Sequence, residues 1–367
     1  MPQLRFVNVT KRFGKVLALD RISLDVNDGE YLCILGPTGS GKTTLLKLMA
    51  GLLTPDEGTI QSNDRRVNEV GVQDRNAVYV PQHYALFPHL TVLQNVAFGP
   101  LARGKPASLA LEIASETLDL VRLSSRAQAL PKELSGGMQQ RVALARGLAS
   151  GAKLLLLDEP LSAIDARLRL DLRHKIRDIV KQSGLTAVHV THDQEEAMSV
   201  GDEIMILKNG RIQDFGPPQR VYRKPAGIFV AHLFGGASFF EGIVEHTVGE
   251  TALIGVRGLT IQAPSRMLTL TSTVILGLRK ERVRISADQP RGMDNVFRGE
   301  IRSVRFLGNS REYLVRLSNG DTIASRNFVE NEAAFKVGDE VSISFRESDV
   351  MVFEYPAQGL LKELEVG

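Results

Sequence analysis

One cysteine in 367 residues, Cys33, leaves no partner for a disulfide within the chain. A disulfide framework is therefore excluded. A reducing cytoplasm fits the lone thiol, which sits in an apolar strand as a small core residue. Long apolar runs are missing too: no stretch approaches the roughly 20 residues that a membrane-spanning helix needs. The opening stretch, Met1 to Lys11, alternates apolar and polar side chains and lacks the apolar core of a secretory signal. Net charge is only +3, too little to argue for nucleic acid as a partner. The rest of the composition is ordinary and globular. Hydrophobic residues make up 43% and charged residues 24%, over a length that suits two domains better than one.

The stretch Gly36-Pro37-Thr38-Gly39-Ser40-Gly41-Lys42-Thr43 reads G-x-x-x-x-G-K-[ST], a phosphate-binding loop. The apolar run Tyr31-Leu32-Cys33-Ile34-Leu35 leads in, and a helical pattern from Thr44 to Ala50 leads out. That strand–loop–helix context is the one the motif needs. The glycines let backbone N–H groups close around phosphate oxygens, and the helix N-terminus adds partial positive charge. The Lys42 ammonium is placed to reach the β- and γ-phosphates, and the Thr43 hydroxyl to ligate Mg2+. A nucleoside triphosphate is implied; the work it drives is not.

Upstream, Leu4 to Val9 and Ile22 to Val26 alternate as strands, and Phe13-Gly14 lies between them. Phe13 is either a turn aromatic or a flat partner for a base. Gly51 ends the helix that follows the loop. Ala77 to Val80 reads as a short buried strand, and Gln82 follows it, at the carboxyl end where open α/β sheets gather ligand-binding groups. From Gln82 to Phe98 the chain carries many apolar residues with little periodicity, either a surface that meets another protein or a small satellite core. A helix is expected within Pro106 to Leu123.

The run Leu134-Ser135-Gly136-Gly137-Met138-Gln139-Gln140-Arg141 opens another helix, with Ser135 as its N-cap. Gly136 and Gly137 leave N–H groups unblocked there, which makes a second anion site by the same physics as the first. Either one ligand spans both sites or a second copy of the chain completes each. Lys153 to Leu157 then runs straight into Asp158-Glu159-Pro160. Two carboxylates after a buried strand, beside a nucleotide, suit a metal-organising acid (Asp158) and a group that polarises the attacking water (Glu159). Ser162-Ala163-Ile164-Asp165 leads into a polar-faced helix ending at Gln182. Thr186 to Val190 is a strand ending in Thr191-His192-Asp193, whose His192 is structural or a γ-phosphate partner. Ile204 to Leu207 and Arg211-Ile212 form a hairpin around Asn209-Gly210.

Across about its first 235 residues the chain resembles the ATP-binding subunits of ABC transporters. The resemblance rests on Gly36–Thr43, Gln82, Leu134–Arg141, Leu154–Glu159, Ser162–Asp165 and His192, in that order. It implies an α/β P-loop NTPase with a helical subdomain, and two chains paired head to tail around ATP and Mg2+. Each ATP would lie between one chain's phosphate loop and the other's Ser135, Gly136 and Gly137. Phe13 would stack on adenine, and Lys42, Thr43 and Thr44 would hold phosphates and Mg2+. Asp158 would support Mg2+, Glu159 would be the general base, and His192 would contact the γ-phosphate. Gln82 would join the catalytic and metal site to a membrane partner, and Asp165 would work across the dimer. Transmembrane permease subunits would be met near Gln82–Phe98, with a solute-binding protein engaged indirectly. The chain would then be peripheral, on the cytoplasmic face of the inner membrane. Ile164, where the family usually carries Leu, is a conservative departure.

Residues 1–235 form the expected ATPase domain, and 236–367 a second one. Val274 to Leu278, Val296 to Val304, Tyr313 to Leu317, Val341 to Phe345 and Val350 to Phe353 read as strands, with a hairpin signal at Asn319-Gly320. Short strands without helices suggest a small OB-like barrel. It has no dense aromatic platform for oligonucleotides, so a regulatory or dimer-contact role is expected. The barrel resembles that of ATPases from binding-protein-dependent importers, which favours import over export. Phe306-Leu307-Gly308, Glu312 to Val315 and Ser348 to Phe353 are more similar to the polyamine, ferric-iron and phosphonate branch than to the sugar branch. The rival classes fare worse. A soluble ABC ATPase usually carries paired cassettes or a coiled coil, a dead cassette would lack catalytic positions, and a P-loop GTPase has no Leu-Ser-Gly-Gly run.

Overall fold

The computed structural model describes residues 4–265, 268–328 and 335–365; Met1 to Gln3 of the alternating opening stretch lie outside them. Contacts divide the chain into two compact units between Arg223 and Lys224, upstream of the boundary expected near 235.

In the first unit, strands β1 (Leu4–Phe13), β2 (Val16–Val26) and β3 (Tyr31–Leu35) precede helix α1 (Lys42–Ala50). Strands β4 (Glu57–Ser62), β5 (Arg65–Arg66) and β6 (Ala77–Val80) follow, then helices α2 (Val92–Ala102), α3 (Ala107–Leu120) and α4 (Gly136–Ala149). Next come β7 (Leu154–Asp158), α5 (Ala166–Gln182), β8 (Thr186–Val190), α6 (Gln194–Val200), β9 (Glu203–Lys208), β10 (Arg211–Gly216) and α7 (Pro218–Arg223). A four-stranded antiparallel sheet has the order β2-β1-β4-β5, and a six-stranded sheet the order β10-β9-β3-β8-β7-β6. In the larger sheet all pairings are parallel except the β9–β10 hairpin.

Strands β3, β7 and β8 are buried at every residue, which is why they read as unbroken apolar runs. The expectation for β6 needs correction. It is the edge strand, and residues 77–79 are only half-buried, with Val80 alone buried. Leu32, Ile34, Leu156 and Val188 of the large sheet share one core with Leu45, Leu46 and Met49 of α1 and with Phe6, Ile22 and Ile60 of the small sheet. Helix α1 is thus fixed by apolar burial on both sides. The parallel strands deliver their carboxyl ends to one edge, where ligand sites of such sheets lie.

The segment 82–98 is partly buried and partly exposed, and α2 extends beyond it to Ala102. Val92, Val96 and Ala97 on α2 are buried, whereas Phe98 and Leu101 are exposed. Buried Asn95 holds the preceding loop: its amide donates to the carbonyls of Phe87, Leu90 and Thr91 and accepts from the Phe87 N–H.

Arg75 fastens the other end of α1. Its buried guanidinium donates to the carbonyls of Leu48 (2.7 Å) and Met49 (3.2 Å), beside Gly51, and to those of Val67 and Val70. These groups satisfy acceptors that a helix end leaves orphaned.

The second unit holds α8 (Ile228–Leu233), β11 (Ala237–Val248), β12 (Thr251–Val256), β13 (Leu259–Pro264), β14 (Thr273–Arg279) and β15 (Arg284–Ser286). It continues with β16 (Asn295–Phe306), β17 (Ser310–Leu317), β18 (Thr322–Phe328), β19 (Glu340–Phe345), β20 (Val350–Glu354) and α9 (Leu360–Leu364). Two five-stranded antiparallel sheets, β13-β12-β11-β14-β20 and β15-β19-β16-β17-β18, curl over one core as a half-barrel. Val244, Ile254 and Leu276 come from the first sheet and Ile301, Tyr313, Val315 and Phe345 from the second. The expected strands are all present, and the hairpin at Asn319-Gly320 joins β17 to β18. Strands β11 to β13 and β15 lie outside the expectation, and β18 enters it only as the second arm of that hairpin.

Arg75→Ala is expected to destabilise the first unit by about 3 kcal/mol, because it strands buried carbonyls at the end of α1. Urea unfolding checks this. A midpoint equal to that of the parent protein would show that the guanidinium does not hold the helix.

Candidate functional site

The loop between β3 and α1 folds where no side chain fits. Gly41 has φ 106°, and a Cβ there would stand 2.5 Å from the Ala18 carbonyl oxygen of β2. On the other side, a Cβ at Gly36 would meet the Leu207 carbonyl oxygen of β9 at 2.0 Å. Pro37 is buried, Thr38 and Gly39 are exposed, and Thr44 is half-buried in the first turn of α1. Lys42 is buried, and its ammonium donates to the carbonyls of Gly36 (2.8 Å) and Pro37 (2.7 Å). Burial lowers its pKa, against the opposing pull of the Glu159 and Asp158 carboxylates. The buried Ser40 hydroxyl has no hydrogen-bond partner among the described residues. An orphaned hydroxyl in a loop at a helix amino end fits a phosphate oxygen.

Across the sheet, β7 ends in Asp158, which is buried. The Thr43 hydroxyl donates to it at 3.0 Å and the Tyr79 hydroxyl at 2.9 Å. Burial and the Asp158 charge push the Tyr79 phenol well above its usual range, so it remains a donor.

Glu159 then leaves the strand with φ 51°, a left-handed conformation that costs a residue with a Cβ about 1 kcal/mol or more. Its N–H donates to the Val190 carbonyl at 2.9 Å. Its carboxylate accepts from the Gln82 amide at 2.9 Å and meets His192 Nε2 at 2.7 Å. The turn that carries His192 is tied on both sides. The Thr191 hydroxyl donates to buried Glu196 (2.6 Å), and Asp193 caps α6 through the Glu196 N–H while accepting from Arg173 at 3.0 Å.

Lys42, Thr43, Asp158, Glu159, Gln82 and His192 therefore form one electrostatically and hydrogen-bond connected group. Other expected residues lie apart from it. Ser135 caps α4 by accepting the Met138 N–H at 3.4 Å, and Gly136 and Gly137 form the first turn of that helix. Among the described residues no hydrogen bond joins these three to the loop 36–44. Asp165 caps α5 through the Leu168 N–H at 3.0 Å. Phe13 ends β1 rather than lying in a polar turn; it is 47% exposed, with the Lys11 ammonium 5.6 Å from its ring centre.

Two functional candidates were missed. Tyr79 carries a hydroxyl on the strand beside β7, a signal the short strand offered. Gln140 is buried within α4, the signature helix that opens at the signature turn Ser135-Gly136-Gly137, at i+3 from Gly137, where a polar residue must have partners. The arrangement has a phosphate cradle, a buried carboxylate bound to a hydroxyl, and a second carboxylate aimed by two side chains. It can bind a nucleoside triphosphate and hold a base beside it.

Comparison with known proteins agrees with this geometry. The ABC transporter family model matches residues 19–162, and the TOBE domain model residues 276–353. The chain is 39% identical to a spermidine/putrescine import ATP-binding protein, PotA, of Rubrobacter xylanophilus, over 93% of this chain and 91% of that protein. It is 40% identical to an Fe(3+) ions import ATP-binding protein, FbpC, of Brucella abortus, over 93% of this chain and 95% of that one. Among solved structures, the dimeric MJ0796, a bacterial ABC transporter cassette, superposes with a TM-score of 0.55 at 32% identity, covering 59% of this chain and 98% of that chain. With its ATPase unit and TOBE domain matched and its relatives aligned over more than nine-tenths of its length, the chain belongs to the ABC transporter family, as an ATP-hydrolysing import ATP-binding protein.

Proposed function

We propose that two copies of this chain close head to tail around two Mg-ATP, and that closure drives import of a polyamine or ferric iron through separate permease subunits. The single observation that supports this most is the pair of carboxylates after β7: Asp158 bound to Thr43, and Glu159 aimed by Gln82 and His192. The solute class follows the relatives that are named for spermidine/putrescine and for Fe(3+); phosphonate belongs to the same expectation. Sugar import is the alternative. The ATPase would lie peripherally at the cytoplasmic face, with the exposed Phe98 and Leu101 of α2 turned to a permease and a solute-binding protein engaged beyond it.

Mg2+ suits the donor set. It is a hard cation that takes one or two carboxylates and otherwise phosphate oxygens and water. Asp158 and the Thr43 hydroxyl are such donors. When bound, Mg2+ neutralises charge on the β- and γ-phosphates. Lys42 exchanges its loop carbonyls for phosphate oxygens, and Ser40 finds its missing partner. Gln82 and Glu159 orient a water, and Glu159 takes its proton. His192 steadies Glu159 and reaches the γ-phosphate. Phe13 stacks on adenine, and the partner's copies of Ser135, Gly136 and Gly137 cover the γ-phosphate from the far side. Asp165, at the cap of α5, faces the same seam.

Glu159→Gln is expected to bind ATP, accumulate as a dimer in light scattering, and lose turnover by about 100- to 10,000-fold. Turnover at the parent rate would remove Glu159 from the role of base. Phe13→Ala is expected to weaken ATP binding about tenfold in fluorescence titration, through lost stacking. Chelation of Mg2+ should abolish hydrolysis, with activity returning on Mg2+ addition. The decisive assay is ATP hydrolysis by the chain with its co-purified permease and binding protein, challenged in turn with spermidine, ferric iron, phosphonate and maltose. Stimulation by any one of the first three supports the solute class, stimulation by maltose replaces it with sugar, and indifference to all removes the importer reading.

A further inference from the structure

Gln140 has no place in the chemistry described above, yet it is buried to 3% exposure and fully engaged. Its amide NH2 donates to the Glu159 carbonyl at 2.9 Å and to the Ser162 hydroxyl at 3.1 Å. Its amide oxygen accepts the Ala163 N–H at 2.8 Å. The Ser162 hydroxyl donates to the same Glu159 carbonyl at 3.1 Å. One turn earlier on the same helix, Gly137 lies so close to this turn that a Cβ would stand 2.7 Å from the Ala163 carbonyl oxygen. The first turns of α4 and residues 159–163 are therefore locked together by one side chain and one close backbone approach.

This joint sits on a strained residue. Glu159 is held at φ 51°, its N–H bound to Val190 and its carbonyl bound to Gln140. A backbone in a sparsely populated conformation stays there only when its surroundings over-determine it. The direction of the Glu159 side chain, toward Gln82 and His192, follows from that backbone.

We infer that Gln140 is a positioning residue that couples the two ends of the site within one chain: phosphate engaged at Ser135–Gly137 sets the orientation of the same chain's Glu159. Because Ser135–Gly137 serves the partner's nucleotide while Glu159 serves the chain's own, this joint links the two hydrolysis events of the dimer. The inference rests on the proposed roles of Glu159 and of the signature turn. Each chain would hydrolyse its own ATP fully only after its signature turn has received the partner's.

The test compares the full chain with Gln140→Leu, which removes all three hydrogen bonds, and with Gln140→Glu. The latter keeps the length and the Ala163 contact but turns an oxygen, in place of the NH2, toward the Glu159 carbonyl. Measured for each are ATP affinity at low protein concentration, kcat, KM and the Hill coefficient for ATP hydrolysis. The expected result is unchanged ATP affinity of the dilute protein, kcat down by about 100-fold, as for a small misplacement of a catalytic group, and a Hill coefficient that falls toward 1. A merely structural role would lower ATP affinity and the melting temperature together and leave the Hill coefficient as in the parent, and that result overturns the inference. So does an unchanged kcat in Gln140→Glu. If Glu159→Gln is inactive while both Gln140 variants turn over normally, the coupling alone is wrong. If Glu159→Gln is itself active, the underlying reading of the base fails instead.

Discussion

The bond between the Thr43 hydroxyl and the Asp158 carboxylate is the contact on which the site depends. Thr43 belongs to α1, which starts at the phosphate loop; Asp158 ends β7, and β8 runs between β7 and β3. The bond thus fixes the distance between the phosphate cradle and the acidic edge. Neither partner could hold it on flexible supports. The helix is pinned along its length by apolar contacts to both sheets, and β7 is a fully buried parallel strand. Hydrophobic burial supplies the rigidity that lets a single polar contact set the geometry.

Adjacent carboxylates meet different partners because their backbones differ. Asp158 is still in the strand, buried, and faces hydroxyl donors. Glu159 has turned out of it, and its side chain reaches Gln82 and His192 from other elements. The change from an extended to a left-handed backbone over one peptide separates the two side chains. The cost of that change is offset by two hydrogen bonds: the Glu159 N–H donates to the Val190 carbonyl on the sheet, and its carbonyl accepts from Gln140 on the signature helix. The turn is therefore a meeting point of the sheet and the helical layer. That makes it suited to sense what binds at the helix's exposed amino end.

The second unit follows another logic. Several of its strands alternate, as β12 does, where Ala252, Ile254 and Val256 are buried and the residues between them half-buried, whereas β14 and β19 are buried at all but their first residue. Two antiparallel sheets each bury one face, so the core needs no helix to cover it. Charged groups of this unit pair across strands, as Lys280 and Arg326 do with Glu312.

How much was legible depended on whether a feature is local in sequence. The loop Gly36–Thr43, the cap Ser135 and the buried strands β3, β7 and β8 could be read directly, because each demands particular residues at fixed short spacing, whereas the capping of α5 by Asp165 is seen only in the structure. The six connected site residues are legible too, since each lies at the phosphate loop or at the carboxyl end of a strand. Strand β11 escaped notice because it buries only Phe240, Gly242 and Val244 along its length, a sparse apolar signal. The half-exposure of β6 escaped because an edge position belongs to the sheet, not to the strand. Tyr79 and Gln140 gained meaning only from partners 79 and 19 residues away. By itself the sequence determined which chemistry the chain carries: backbone conformation at a glycine-rich turn, a cap or a buried strand follows from neighbouring residues. Only the tertiary structure decided which side chain aims, clamps or couples another, because those contacts join distant segments whose approach is set by packing.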